Sequence, residues 1–319
     1  MKFDKETIKA IRSMSFGAVD INTYYQQMRN TEKWLYPFQA PKDSYSELSV
    51  SLPDRSGGDA RDIKARAFYP ERRTGRSAIM YIHGGGWAAG SIQTYSSACL
   101  AIAKATERPV ISVEYRLAPE HRFPQPLEDC MDFYMALTNK QVSGLIYNDI
   151  EEIFIMGDSA GGNLCAAMTL AACEHRIPKP SGQILLYPVL APHRSADSFK
   201  KITPAVTGLT LDPQRICEFM SLYASCPDDY SNKLFAPLLE NASSYMPPSL
   251  IITAENDILR TEGELYCHKL QAAGVAACVH RITGAYHGFI QLPMGDPSLA
   301  AGLELIKNFI NITDQTAKT

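Results

Sequence analysis

The sequence lacks the features that would direct it to a membrane or to nucleic acid. None of its apolar runs approaches the roughly 20 residues that a membrane-spanning helix needs. It has no cluster of basic residues interleaved with aromatic residues, and its formal net charge is only −3. So small a charge gives no general attraction to polyanions. We therefore expect neither a nucleic-acid partner nor stable membrane insertion.

Two further absences bear on the cell compartment and on disulfide or metal chemistry. The charged N-terminal residues 1–6 are not followed by the apolar core of a signal peptide. The eight cysteines are scattered along the chain without a Cys-x-x-Cys pair, so no metal-ligand spacing is present. We predict a cytoplasmic protein with reduced thiols and no metal.

What the sequence does contain is an alternation of apolar and helical segments. Its 319 residues are 45% hydrophobic, enough for one large domain with insertions. Short apolar runs, which we interpret as strands, alternate with helical patterns from residue 77 to 311. This order predicts an α/β fold with a mostly parallel central sheet and helices on both faces. Before it, residues 43–52 and 62–69 alternate polar and apolar side chains, which predicts antiparallel edge strands.

The most informative stretch is Gly157-Asp158-Ser159-Ala160-Gly161, which follows an apolar run and precedes a run of helix formers. In that context Gly-x-Ser-x-Gly predicts a nucleophile elbow, a sharp strand-to-helix turn that exposes the serine hydroxyl. Glycines flank the serine because larger side chains would clash in so tight a turn. The helix beginning near Ala160 directs free N–H groups at the serine. The alternative is a plain glycine-rich turn.

A serine hydroxyl becomes nucleophilic when a histidine takes its proton and a carboxylate orients that histidine. In this architecture the order along the chain is serine, acid, histidine. His287 is the candidate base because it follows a predicted strand within a loop of small residues. Asp257 is the candidate acid because it follows another predicted strand and lies between Ser159 and His287. Glu255 is the competing carboxylate, and a helix cap is the alternative role of Asp257.

Three consecutive glycines, Gly84, Gly85 and Gly86, follow the predicted strand 77–82 after one intervening histidine. Their unobstructed N–H groups can stabilise an oxyanion together with the N–H of Ala160. We favour Gly85 and Gly86 as donors, with Gly84 as the fallback. A phosphate-binding loop is the alternative, but no Lys-Ser or Lys-Thr pair follows the glycines.

Three further residues, within or beside these motifs, complete the set of candidates. Trp87 and Asp158 are the candidate residues of the substrate pocket, where the indole would wall the acyl site and favour short chains. Core packing is the alternative for Trp87. His83 is expected to anchor the glycine loop by a hydrogen bond.

Four motifs occur in a fixed order along the chain. They are His-Gly-Gly-Gly-Trp at 83–87, Tyr-Arg-Leu-Ala-Pro-Glu at 115–120, Gly-Asp-Ser-Ala-Gly-Gly-Asn at 157–163 and Tyr-His-Gly-Phe at 286–289. In order and spacing, residues 77–310 resemble the hormone-sensitive-lipase branch of the α/β-hydrolases. The resemblance implies a carboxylesterase with a mobile N-terminal cap, and in many members a preference for short acyl chains.

The resemblance also implies roles for single residues. It gives Ser159, Asp257 and His287 the triad roles and the glycines of the first motif the oxyanion role. One departure is visible, because Asp257-Ile258-Leu259-Arg260-Thr261-Glu262 stands where the family commonly has Asp-Pro-Leu-Arg-Asp-Glu. The change removes a proline but retains the carboxylate.

The same reading predicts how the chain is divided. Residues 1–42 are predicted to form N-terminal cap helices, because residues 5–35 look helical. Residues 43–319 are predicted to form an α/β-hydrolase catalytic domain. A second cap segment is expected at about 193–234, where aromatic residues, methionine and proline interrupt the alternation of strands and helices.

Taken together, these residues predict a serine carboxylesterase that hydrolyses short-to-medium acyl esters through an acyl-enzyme intermediate. Its partner would be a small-molecule ester, and the chemistry calls for no cofactor. An amidase, deacetylase or small peptidase on the same triad is the first alternative, and a non-catalytic receptor for a small ligand is the second. A homodimer through the sheet edge or the last helices is compatible with the sequence but not required by it.

Overall fold

A central sheet of eight strands organises the part of the chain that the computed structural model describes, residues 20–35, 40–53, 55, 59–193 and 211–316. The strands are β1 (Tyr45–Leu52), β2 (Arg61–Phe68), β3 (Ser77–Ile82), β4 (Val110–Val113), β5 (Glu152–Asp158), β6 (Gly182–Leu186), β7 (Ser249–Asn256) and β8 (Ala277–Tyr286). Their spatial order is β1-β2-β4-β3-β5-β6-β7-β8. Pairing is antiparallel between β1 and β2 and between β2 and β4, and parallel from β4 to β8.

The predicted α/β fold with a mostly parallel sheet is therefore confirmed. One detail of the prediction is wrong: β2 lies inside the sheet between β1 and β4, so that only β1 of the two antiparallel strands is an edge. The burial pattern of β2 agrees, because the second half of that strand is buried on both faces. Alternation at its start gave the signal of an edge strand, but its end packs like a central strand.

Helices cover both faces of this sheet. The α-helices are α1 (Ile21–Leu35), α2 (Ser96–Thr106), α3 (Gln125–Thr138), α4 (Ala160–Cys173), α5 (Pro213–Tyr223), α6 (Arg260–Ala272) and α7 (Pro297–Thr316), and short 3-10 helices lie at Lys42–Ser44, Pro227–Ser231, Pro237–Leu239 and Phe289–Gln291. Buried residues of α2 and α7 form one apolar core, and those of α3, α4, α5 and α6 belong to the other. Helix α4 lies beside the central strand β5 and is buried along almost its whole length, as its run of uncharged residues predicts.

Two α-helices, α1 and α5, fall within the segments predicted as cap. Helix α1 and helix α5 contact each other through Tyr24, whose ring centroid lies 6.1 Å from that of Phe219 and 3.9 Å from the guanidinium carbon of Arg215. Residues 1–19, 36–39 and 194–210 of the predicted cap segments lie outside the described residues. Among the described helices, none combines the length and the apolar character needed to cross a bilayer.

Candidate active site

Ser159 occupies a strained turn between β5 and α4. Its φ of 52° and ψ of −117° are values that residues other than glycine rarely adopt. The turn is tight enough that a Cβ atom on Gly161 would lie 2.0 Å from the carbonyl oxygen of Ile82. A side chain cannot be accommodated there, which explains why glycine follows the serine at this spacing. The serine is nearly buried but keeps 7% of its surface exposed.

The parallel strands bring the three predicted triad residues into one line. Ser159 follows β5, Asp257 follows β7 and His287 follows β8, so all three lie at the carboxyl edge of the sheet. The Nε2 atom of His287 is 2.9 Å from Oγ of Ser159, and its Nδ1 atom is 2.7 Å from Oδ2 of Asp257. This arrangement lets the imidazole accept the serine proton while its other nitrogen donates to the carboxylate.

The two carboxylates that compete in sequence have different partners. Asp257 is buried, and its second oxygen, Oδ1, accepts a hydrogen bond of 2.9 Å from the backbone N–H of Leu259. Glu255 instead accepts a hydrogen bond of 2.7 Å from the backbone N–H of Gly284, which lies near the end of β8, shortly before His287. Asp257 therefore contacts His287 directly, and Glu255 secures the strand that carries it.

The electrostatic environment of His287 favours its protonated form. Burial alone lowers the pKa of this imidazole, but the charge of Asp257 and its hydrogen bond, followed by the charges of Asp158 and Glu262, outweigh burial and raise the pKa above the usual value. A base with a raised pKa holds an abstracted proton more firmly. The site can therefore stabilise an imidazolium ion during reaction.

The glycine loop lies beside Ser159 in a conformation that requires glycine. Gly86 has a φ of 61°, and a Cβ atom on it would lie 2.6 Å from the ring of Phe219 on α5. In the described part of the chain, no protein acceptor is recorded for the N–H groups of Gly85, Gly86 and Ala160. These three groups, two from the loop and one from the first turn of α4, are available to an anion at the serine.

Gly84 has a different partner from the other two glycines. Its N–H donates a hydrogen bond of 2.8 Å to Oδ1 of Asp158. Because that group is occupied, the expectation that Gly84 could donate to the oxyanion does not agree with the structure. Asp158 is only 2% exposed and lies beneath the loop, so the prediction that Asp158 lines the substrate pocket is wrong. Its carboxylate is turned to the interior because several buried donors converge on it there.

Trp87 also has a different role from the predicted one. The indole is fully buried and stacks on the ring of Tyr223, with centroids 4.6 Å apart and an angle of 4° between the planes. The ring of Phe235 lies close to both, with its centroid 5.2 Å from that of Tyr223 and 6.5 Å from that of Trp87. The prediction that Trp87 walls the acyl pocket is therefore wrong, and the alternative of core packing is correct. The stack instead attaches the end of α5 to the glycine loop.

His83 and Tyr115 hold the glycine loop in place. The Nδ1 atom of His83 is 2.8 Å from the carbonyl oxygen of Gly84, as expected for an anchor. The hydroxyl of Tyr115 donates to the carbonyl oxygen of His83 at 2.9 Å, and the two rings stack with centroids 4.3 Å apart. Burial lowers the pKa of His83 to about 4, although its hydrogen bond with Gly84 acts in the opposite direction. His83 is therefore a neutral structural residue at pH 7.

Two residues near the site were not singled out by the sequence. The amide nitrogen of Asn163 donates to the carbonyl oxygens of Val189 and Phe235, both at 2.9 Å, and so ties α4 to the loop after β6 and to the segment after α5. The buried Glu262 accepts hydrogen bonds of 2.6 Å from the N–H groups of Leu190 and Ala191. Each is the last residue of a motif, Gly157–Asn163 and Asp257–Glu262, and that position is the signal that could have identified it.

Comparisons with known proteins show which proteins this chain is similar to. A family model described as the alpha/beta hydrolase fold matches residues 79–291. An arylesterase of Saccharolobus solfataricus is 32% identical over 269 residues, which cover 81% of this chain and 86% of the relative. An ethyl acetate hydrolase of Pseudomonas putida is 30% identical over 255 residues, covering 78% of this chain and 77% of the relative. The solved structure of a hyperthermophilic esterase from Pyrobaculum calidifontis superposes with a TM-score of 0.80 at 28% identity, covering 98% of this chain and 100% of that one.

The matched residues include the glycine loop, the strained serine turn and both partners of the serine. Both curated relatives align with more than two thirds of this chain. The chain therefore belongs to the α/β-hydrolase fold family, in its hormone-sensitive-lipase-type carboxylesterase branch, and is a hydrolytic enzyme.

Proposed function

We propose that this enzyme is a serine carboxylesterase that forms an acyl-enzyme intermediate. The observation that carries the proposal is the unbroken line of hydrogen-bonding atoms from Oγ of Ser159 through His287 to Asp257. Relatives named as an arylesterase and as an ethyl acetate hydrolase support an ester as the substrate.

The first half of the reaction transfers the acyl group to the enzyme. Ser159 attacks the carbonyl carbon of the ester while His287 takes its proton, and Asp257 holds the imidazole in the required tautomer. The negative charge that forms on the carbonyl oxygen is stabilised by the N–H groups of Gly85, Gly86 and Ala160. His287 then gives its proton to the leaving alcohol, and the acyl group stays on the serine.

The second half releases the acid. A water molecule enters where the alcohol has left, gives its proton to His287 and attacks the acyl carbon. The same N–H groups stabilise the second oxyanion. Ser159 regains its proton from His287, and the enzyme returns to its starting state without a cofactor.

The proposed substrates are esters with short-to-medium acyl chains. The named substrate of the Pseudomonas putida relative, ethyl acetate, has a two-carbon acyl group and supports the short end of this range. Helices α1 and α5 are proposed to act as the cap, because α5 contacts the glycine loop through Phe219 and α1 contacts α5 through Tyr24. The cytoplasmic location and a homodimer stay predictions.

The decisive test is Ser159→Ala, assayed on a series of p-nitrophenyl esters from acetate to laurate. Removing the nucleophile should lower turnover by about 10⁴- to 10⁶-fold and abolish labelling by a fluorophosphonate probe. Ser143→Ala, which changes an exposed serine in the loop beside β1, is the matched control and should keep wild-type rates and labelling.

Two results would contradict the proposal. Near-normal turnover by Ser159→Ala would remove Ser159 as the nucleophile. A wild-type preference for p-nitroanilides over matched p-nitrophenyl esters would instead make the enzyme an amidase. A rate maximum beyond ten carbons would reject the proposed chain length while leaving the esterase chemistry in place.

A further inference from the structure

The proposed mechanism leaves one buried carboxylate of the site without a role. Asp158 precedes the nucleophile and accepts hydrogen bonds from four donors. Its Oδ1 atom accepts from the Tyr81 hydroxyl and the Gly84 N–H, both at 2.8 Å, and its Oδ2 atom accepts from the hydroxyls of Tyr95 at 3.1 Å and Tyr187 at 3.5 Å. A side chain held by so many groups has one fixed position beneath the serine.

The contacts favour the ionised form of this carboxylate. Burial raises the pKa of Asp158 above its usual value, and the hydrogen bonds from Tyr81, Gly84 and Tyr95 and the charge of His287 offset only part of that effect. Every partner named above can donate, and hydrogen bonds to the charged form stabilise it. No lysine or arginine contacts this carboxylate in the described part of the chain. Burying a charge without a cation in contact costs free energy of folding. We therefore expect that charge to have a function.

One connection leads from Asp158 to the oxyanion loop. The hydrogen bond to the Gly84 N–H fixes the peptide group that directly precedes the proposed donors, Gly85 and Gly86. The carbonyl oxygen of the same glycine lies 2.8 Å from Nδ1 of His83. Asp158 fixes the N–H group of Gly84, and His83 fixes its carbonyl oxygen. The direction of the N–H groups of Gly85 and Gly86 depends on these two contacts.

A second connection leads from Asp158 to the base. The ring of Tyr187 lies 4.7 Å from the imidazole of His287, between centroids, while its hydroxyl reaches the Asp158 carboxylate. Burial lowers the pKa of His287, and Asp257 raises it. The charge of Asp158 raises this pKa further. The charge of Asp158 thus acts on His287 at a distance, without direct contact.

We propose that Asp158 is a positioning residue for the esterase reaction, which fixes the oxyanion loop through Gly84 and supplies a second negative charge that stabilises the His287 imidazolium. The inference rests on the proposed function. It assigns two separable properties to one side chain, a hydrogen-bond acceptor for the loop and a charge for the base.

The substitution Asp158→Asn separates the two properties. Its amide oxygen can still accept from Gly84, and its NH₂ group can donate to the hydroxyls of Tyr95 and Tyr187, but the charge is gone. The acid limb of kcat/KM against pH should move to lower pH by roughly 0.5 to 1 unit, because a base that loses a nearby negative charge has a lower pKa. The plateau of kcat should fall about tenfold with little change in KM. The other groups that face the imidazole, Asp257 and Glu262, are unchanged in this variant.

Two further substitutions complete the design. Asp158→Ala also removes the acceptor for Gly84, so kcat should fall by a further factor of about 10 to 100. Tyr115→Phe, the matched control, removes a buried hydroxyl that donates to the carbonyl oxygen of His83 beside the glycine loop, but it leaves Asp158 and its donors intact. Its acid limb should superimpose on that of the wild type.

The outcomes distinguish this inference from the proposed function. If Ser159→Ala abolishes turnover but Asp158→Asn keeps both the wild-type acid limb and the wild-type plateau, the inference is overturned and the esterase assignment stands. If Asp158→Asn does not fold, Tyr81→Phe applies the same test, because losing a donor to Oδ1 weakens the ionised form. A smaller shift of the acid limb in the same direction supports the inference, and an unshifted limb overturns it.

Discussion

At the scale of single residues, Asp257 combines two interactions that looked like alternatives in the sequence. One oxygen contacts His287, and the other accepts the backbone N–H of Leu259 in the turn that leads into α6. The turn contact fixes the carboxylate, and a fixed carboxylate holds the imidazole in one orientation. A residue that shapes a local turn can therefore also serve as the acid of the proposed triad.

Asp257→Asn should lower kcat by about 10³- to 10⁴-fold, because an amide can donate to Nδ1 and then selects the wrong tautomer. The same change removes the charge that raises the pKa of His287. The base must be neutral to act. The acid limb of the residual activity should therefore lie at a lower pH than that of the wild type. The measurement is kcat/KM for p-nitrophenyl acetate across the pH range from 5 to about 9.

Glu255→Gln is the matched control, because glutamine can still accept the N–H of Gly284. Its kcat should stay within about threefold of the wild type. A larger loss from Glu255→Gln than from Asp257→Asn would exchange the proposed roles of the two carboxylates.

Residues whose chemistry depends on order along the chain could be found from the sequence, whereas residues whose role depends on burial could not. Ser159, Asp257 and His287 each follow a strand, and parallel strands bring their carboxyl ends together. Trp87 and Asp158 belong to the right motifs, but their side chains turn inward to Tyr223 and to Tyr81. That direction is decided by tertiary partners far away in sequence.

At the scale of elements, the side chain of Arg29 connects helix α1 to two loops of the rest of the molecule. The guanidinium of Arg29 donates to the carbonyl oxygens of Ala88 at 2.7 Å and Ala118 at 2.8 Å, and makes two bonds of 2.9 and 3.0 Å to Glu120. Ala88 follows the glycine loop, and the other two partners lie in the Tyr115–Glu120 motif. This explains a motif that has no place in the proposed chemistry.

Arg29→Met should loosen α1 from the rest of the molecule. The pair with Glu120 is too exposed to contribute much by itself, but two charge-assisted bonds to backbone carbonyls are lost with it. Limited proteolysis within the first 44 residues should become about tenfold faster, and kcat/KM should fall severalfold. Arg29→Lys should resemble Arg29→Met, because lysine cannot reproduce the fork of four bonds.

The control for this prediction is Arg72→Met, which removes a mostly exposed arginine in a long contact with Glu107. Its proteolysis and its kinetics should equal those of the wild type. An unchanged proteolysis rate in Arg29→Met would show that α1 is held by its contact with α5 instead.

The sequence indicated most elements to within a few residues but not how helices α1 and α5 are arranged. Strand β8 is longer than its apolar run, because alternating exposed residues continue it to Tyr286 and deliver His287 directly to the site. Helix α5 gave no clear periodic signal among its aromatic residues. Its position is set by Phe219 against Gly86 and by Tyr223 against Trp87, contacts that a local pattern cannot reveal.

At the scale of the whole molecule, the fold follows from a pattern repeated many times. Each strand from β3 to β8 pairs with a parallel neighbour, and the helices between them supply the crossovers. Since each unit specifies the same layered arrangement, a local error such as the edge position expected for β2 does not change the architecture. Helices α1 and α5 belong to no such repetition, so their positions were less predictable than that of the sheet.

The thiols provide a test of this packing across the whole molecule. All eight cysteines are free, and Cys226 is the exposed one. Burial raises the pKa of both Cys217 and Cys267 to about 11, which keeps these thiols protonated and slow to react at pH 8. Ellman's reagent should therefore modify about one thiol quickly in the native protein and all eight after denaturation.

Reducing agents should leave the Tm of the protein unchanged, because no disulfide restrains its unfolded state. Cys226→Ser should abolish the fast reaction and keep ester turnover at the wild-type rate, since Cys226 lies outside the hydrogen-bonded line of Ser159. Fewer than eight thiols in the denatured, unreduced chain would mean that a disulfide forms in solution. Several fast thiols in the native protein would mean that the helices open readily from the sheet, and the layered packing derived above would then need revision.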